Sequence, residues 1–134
     1  MQTESDWLLA GPVTCCWYYY WNSAAGLEDP DGRNLFIPWF LEQVREYDQE
    51  NGVRTLDVLD IHYYPEGVYN SEVDEETSSL RLRSTRTLWD GNYVAESWIG
   101  EPIRLIPLMK EIINRFYPGT KLGISEWNWG ADHT

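Results

Sequence analysis

Three short apolar runs alternate with two longer runs whose apolar residues recur at helical spacing, and that order leaves few folds open. The first run is Trp7 to Trp17, ending in an aromatic cluster, Trp17-Tyr18-Tyr19-Tyr20-Trp21. The second is Leu56 to Tyr64, and the third is Lys121 to Glu126, running on to Trp127. Gly, Pro and Asp bound these runs, as they bound buried parallel strands. Between the first two, Ile37, Phe40, Leu41, Val44 and Tyr47 line one face of a helix that starts near Pro38 and stops at Asn51-Gly52. Leu108, Met109, Ile112, Ile113 and Phe116 line a second helix, from Pro107 to Pro118-Gly119. Strand, helix, strand, helix, strand predicts an α/β fold, a parallel sheet with crossover helices outside it. A flavodoxin-like open sheet would want a Gly-rich phosphate turn after a strand, and the sequence has none.

Two connections are long, Asn22 to Phe36 and Pro65 to Gly100. Both follow the carboxyl end of a strand, where barrels and open α/β sheets carry their ligand sites. A structureless connection as long as the second is uncommon unless it is functional. Its Arg81, Arg83 and Arg86 either meet a ligand or pair with the nearby Glu72, Asp74, Glu75 and Glu76. Residues 1–134 form one unit, without linker or low-complexity tract. A complete barrel takes about 250 residues, and 134 are too few for one.

Composition narrows the partners. Aromatic residues make up 15% of the chain, with eight Trp and nine Tyr, which suits a surface that stacks on flat sugar rings. The net charge of −12 argues against nucleic acid and anionic membranes. Cys15 and Cys16 are adjacent, too close to bridge without strain, and are expected to be buried free thiols. Residues 1–6 lack the basic and apolar regions of a signal peptide, and no run reaches membrane-spanning length. No cofactor or metal motif is evident. The acidic stretch Glu72 to Glu76 offers a place for structural calcium but lacks EF-hand spacing.

Three groups of residues carry candidate chemistry. In Ile124-Ser125-Glu126-Trp127-Asn128-Trp129-Gly130 a carboxylate ends an apolar strand and aromatic residues follow it. Spacing alone leaves Glu126 equally an attacking carboxylate or a strand's ordinary exit into water. In Asp60-Ile61-His62-Tyr63-Tyr64-Pro65, strand alternation puts Asp60, His62 and Tyr64 on one face and Leu59, Ile61 and Tyr63 on the other. His62 and Tyr64 would then bond sugar hydroxyls or the Glu126 carboxylate, unless the His is simply satisfied in a polar layer. The third group is the cluster after the first strand. Continued alternation would put Trp17, Tyr19 and Trp21 on one face and Tyr18 and Tyr20 on the other.

At these places the chain resembles glycoside hydrolase family 44, the endo-β-1,4-glucanases and xyloglucanases. The resemblance rests on Gly11-Pro12-Val13, on Asp60 to Pro65, on Arg81-Leu82-Arg83-Ser84-Thr85-Arg86 with Leu88-Trp89-Asp90 and Glu96-Ser97-Trp98, and on Gly123 to Gly130. It implies a partial (β/α)₈ TIM barrel running from about strand five to strand seven, with the catalytic nucleophile at Glu126. It implies cellulose or xyloglucan as substrate, with His62, Tyr64, Trp89, Trp98, Trp127 and Trp129 as substrate-binding residues. It also implies a secreted parent protein. The family's acid/base glutamate stands in an Asn-Glu pair after strand four, and this sequence contains no such pair ahead of its first strand. The isolated chain is therefore expected to be inactive. Another retaining barrel family acting on xylan or mannan is the nearest alternative. A non-catalytic carbohydrate-binding module would suit the aromatics but not the helices.

Overall fold

A computed structural model of the chain describes residues 7–22, 35–67 and 74–129. Three strands, β1 (Ala10–Thr14), β2 (Val58–Tyr63) and β3 (Lys121–Trp127), form one parallel sheet in the order β1-β2-β3. The alternation read from the sequence thus gives the predicted parallel sheet, with β2 at its centre. Leu59, Ile61 and Tyr63 are buried on one face of β2. Around them pack Ile37 and Leu41, and also Leu105, Met109, Ile112 and Ile113. β1 and β3 are the outer strands, and Trp7, Leu8 and Leu9 are exposed just ahead of β1. Among the described residues no helix is long and apolar enough to cross a membrane.

The aromatic cluster is not strand. β1 stops at Thr14, and Cys16–Trp21 form a short helix, α1. Helical spacing brings together Trp17, Tyr20 and Trp21, whose rings meet edge to face, Trp17 and Trp21 at 5.0 Å. Trp17 and Tyr20 are buried, whereas Tyr18 and Tyr19 are about half exposed. The expected two-face alternation of these rings therefore fails. Aromatic residues favour strands on average, but burial of the Tyr20 ring and its hydroxyl's bond to the His62 carbonyl favour the helix. Cys15 and Cys16 are free, as expected, but Cys15 is exposed and Cys16 partly so, because Cys15 links β1 to α1 and Cys16 is the first residue of α1.

Helix α2 spans Phe36–Asn51 and ends at Gly52, whose φ of 64° suits a residue without Cβ. It starts two residues before Pro38. Proline is tolerated there because first-turn N–H groups have no partner within the helix. Tyr47, expected on the buried face, is exposed, and its neighbour Asp48 is buried instead. Asp48 accepts hydrogen bonds from Thr55 N (2.8 Å), Thr55 Oγ1 (2.7 Å) and the Tyr117 hydroxyl. It thereby ties the end of α2 to the chain entering β2 and to Tyr117.

Tyr117 directly follows α4 (Leu105–Phe116), whose Leu105, Met109, Ile112 and Ile113 are buried. Leu108 and Phe116 of the predicted stripe are only partly buried. The connection from Pro65 to Gly100 is not structureless. It contains α3 (Glu75–Ser84), capped by the Asp74 side chain on Thr77 N, and a 3₁₀ turn over Thr85–Leu88. The turn is fastened to the sheet by the Tyr63 hydroxyl, which donates to Thr87 Oγ1 at 2.6 Å. Arg83 pairs with Glu96 at 2.6 Å and Arg86 with Asp90 at 2.8 Å.

Candidate active site

The end of β2 and the end of β3 meet at Glu126. The Tyr64 hydroxyl donates to Glu126 Oε1, and His62 Nδ1 lies 3.4 Å from Glu126 Oε2. Each carboxyl oxygen therefore has its own neighbour from the adjoining strand segment. The Glu126 side chain is 53% exposed, so a ligand can approach it, while His62 is largely covered. The hydrogen bond to Glu126 raises the Tyr64 phenol above its ordinary range, because losing that proton would put two negative groups side by side.

This meeting depends on an irregularity in the ladder. Asp60 pairs with Gly123 and Ile61 with Ile124, but His62 pairs with Glu126. Ser125 is passed over. Its N–H donates to Asp60 Oδ1 at 3.0 Å. Side chains alternate along a strand, so a shift of one residue carries Glu126 to the face that holds Asp60 and His62.

Trp127 is exposed and meets Trp129 edge to face at 5.5 Å, next to the carboxylate in sequence. Trp129 is anchored, its Nε1 donating to the Arg81 carbonyl at 2.8 Å. Trp98 is exposed and donates to Glu66 Oε2 at 3.1 Å; Trp89 is exposed after the 3₁₀ turn. Both lie outside the hydrogen bonds around Glu126. Two residues without an assigned role in the sequence analysis also join the site. Tyr20 holds the His62 carbonyl, and Asp60 holds Ser125 N. An Asp inside an apolar strand signalled the second; nothing marked the first, because α1 was not expected.

Among the described residues no group of three or more His, Cys, Asp or Glu is arranged to hold a metal ion. Of the acidic stretch 72–76, residues 72 and 73 lie outside the described residues, and Asp74 is engaged as the cap of α3.

The family model for glycoside hydrolase family 44 matches residues 2–67. Endoglucanase A of Paenibacillus lautus is 38% identical over 109 residues, covering 73% of this chain and 16% of that protein. Beta-mannanase/endoglucanase A of Caldicellulosiruptor saccharolyticus is 34% identical, covering 83% of this chain and 10% of that protein. The chain thus spans a sixth or less of these relatives. The structure of a family 44 xyloglucanase from Paenibacillus polymyxa superposes with a TM-score of 0.80 at 31% identity, over 92% of this chain and 27% of that one. The parallel sheet with its crossover helices corresponds to part of that enzyme's fold. Matches in sequence and in structure agree, and this chain belongs to glycoside hydrolase family 44.

Proposed function

We propose that this chain supplies the nucleophile side of a retaining, endo-acting β-1,4-glucan hydrolase. The observation that carries the proposal is the exposed Glu126 carboxyl at the carboxyl end of a parallel strand, held by Tyr64 on one oxygen and flanked by His62 on the other. In this reading residues 1–134 are one piece of the catalytic domain, covering barrel strands five to seven, and Glu126 ends strand seven. A Glu126 oxygen attacks C1 of the sugar. The C1–O bond breaks, and its electron pair leaves with the departing oxygen, which takes a proton from a second carboxyl. Water then cleaves the glycosyl ester. Retention needs the two carboxyl groups about 5–5.5 Å apart. No pair in this sequence matches the family's acid/base Asn-Glu, so that group comes from elsewhere in the barrel and the isolated chain is inactive.

Cellulose and xyloglucan are the proposed substrates. The xyloglucan complex of a Paenibacillus polymyxa relative supports a polysaccharide. Trp127 and Trp129 are then the nearest stacking platforms, with Trp89 and Trp98 further along the cleft. Extracellular action follows from a polymeric substrate. The decisive experiment uses a 2-deoxy-2-fluoro aryl β-cellobioside on the full-length enzyme carrying this chain, followed by peptide mapping. An ester on Glu126 is expected; an adduct on another residue, or none, defeats the proposal.

A further inference from the structure

We propose that Asp60 is the positioning residue that decides which face of the sheet Glu126 occupies. The inference rests on the nucleophile role just argued for Glu126. Up to Ile124, β3 follows β2 residue for residue, Gly123 beside Asp60 and Ile124 beside Ile61. Were that register to continue, Ser125 would stand beside His62 and Glu126 beside Tyr63. Glu126 would then share the face on which Leu59, Ile61 and Tyr63 are buried, away from His62. Instead Ser125 is skipped, and the extra residue needs a partner for its N–H.

Asp60 provides that partner. Its side chain is almost fully buried, and Oδ1 accepts from Ser125 N at 3.0 Å. Room for the carboxyl group exists because residue 123 is glycine. A Cβ there would stand 3.3 Å from Asp60 Oδ1 and 3.0 Å from Val58 Cγ1. Three adjoining features therefore act together: a glycine that admits the carboxyl group, the carboxyl group itself, and the skipped residue whose N–H it holds. The hydrogen bond described for Asp60 goes to Ser125 N, whereas the Glu126 carboxyl meets Tyr64 and His62. Its effect is transmitted through the backbone of Ser125.

The test measures covalent labelling of Glu126 by the same fluoroglycoside in the full-length enzyme, separating reagent binding from the ester-forming step. Asp60→Ala and Asp60→Ser remove an acceptor that can reach Ser125, and Ser keeps the position polar should Ala not fold. In either folded variant the ester-forming step should slow on the order of 100-fold, the effect of a misplaced reacting group, with reagent binding unchanged. Asp60→Asn retains a carbonyl acceptor and should stay within about fivefold of wild type. Wild-type labelling rates in Asp60→Ser or Asp60→Ala overturn the proposal. So does equal slowing in Asp60→Asn, which would mean that charge rather than the hydrogen bond matters. An adduct away from Glu126 in the wild-type enzyme defeats the nucleophile assignment itself, a separate and recognisable failure.

Discussion

Glu126 is held by a strand other than its own: His62 Nδ1 stands 3.4 Å from one of its oxygens while the Tyr64 hydroxyl donates to the other. Tyr64 lies 62 positions before Glu126 and His62 two further back, and the parallel register brings them to it.

The Tyr64 bond gives the first prediction. Tyr64→Phe removes a donor to the Glu126 carboxyl, the proposed nucleophile, and leaves the ring. In the full-length enzyme kcat/KM should fall roughly 10- to 100-fold, the range for losing a hydrogen bond to a charged group. In Glu126→Ala the Tyr64 phenol should return toward its ordinary ionisation range, followed by carbon NMR of the Tyr64 ring. No change in either measurement would mean that the contact does not form in solution.

Asp48 gives the second, on stability. Asp48→Ala leaves the Tyr117 hydroxyl, Thr55 N and Thr55 Oγ1 without their acceptor. The cost should be about 1–3 kcal/mol, the penalty for leaving the buried Tyr117 hydroxyl unpaired, since the exposed Thr55 groups can turn to water. Asp48→Asn, which keeps an acceptor, should cost clearly less. Urea unfolding midpoints check this, and equal midpoints for the two variants would refute it.

Acid sensitivity is the third. Burial pushes the Asp48 carboxyl upward, but hydrogen bonds from Tyr117 and Thr55 outweigh it and hold the group below its ordinary range. The Arg83 guanidinium, with help from Tyr93, holds Glu96 at about 2. Both carboxyls are lowered on folding. Their stabilisation is therefore full above the unfolded values of about 4 and disappears as pH falls through the folded ones. The urea midpoint should be level from pH 7 to about 5 and drop between about pH 4 and pH 2. A level profile down to pH 2 would contradict this account.

The fourth prediction concerns the chain by itself. Purified residues 1–134 should release no reducing ends from carboxymethylcellulose or xyloglucan, because no partner acid matches in this sequence. Turnover that disappears in Glu126→Gln would show that the second carboxyl lies within these residues after all.

Much of the architecture was legible because it rests on periodicity. The strand at Lys121–Trp127 and the helix end at Asn51-Gly52 follow from local pattern and turn chemistry, which neighbouring elements did not disturb. The aromatic run reads as strand from the sequence but folds as helix, because five large rings in a row satisfy either period on composition alone. Contact between Tyr20 and the His62 carbonyl favours the helix. Tyr47 and Asp48 exchanged their expected burial for a related reason. A charged residue reads as exposed until Thr55 and Tyr117, distant in sequence or across a turn, are seen to satisfy it.

The sequence by itself determined the alternation of three strands with two long helices, the parallel sheet, the polar face of Asp60, His62 and Tyr64 along and just after β2, and the family resemblance at Glu126. These are local matters of spacing and residue type. The tertiary structure decided which way Glu126 points. Alternation along β3 fixes only relative faces within that strand. The skipped Ser125, its N–H held by Asp60 across the sheet, brings the carboxyl to His62 and Tyr64. A register shift between strands has no signature in either strand alone, because it exists only where the two backbones meet.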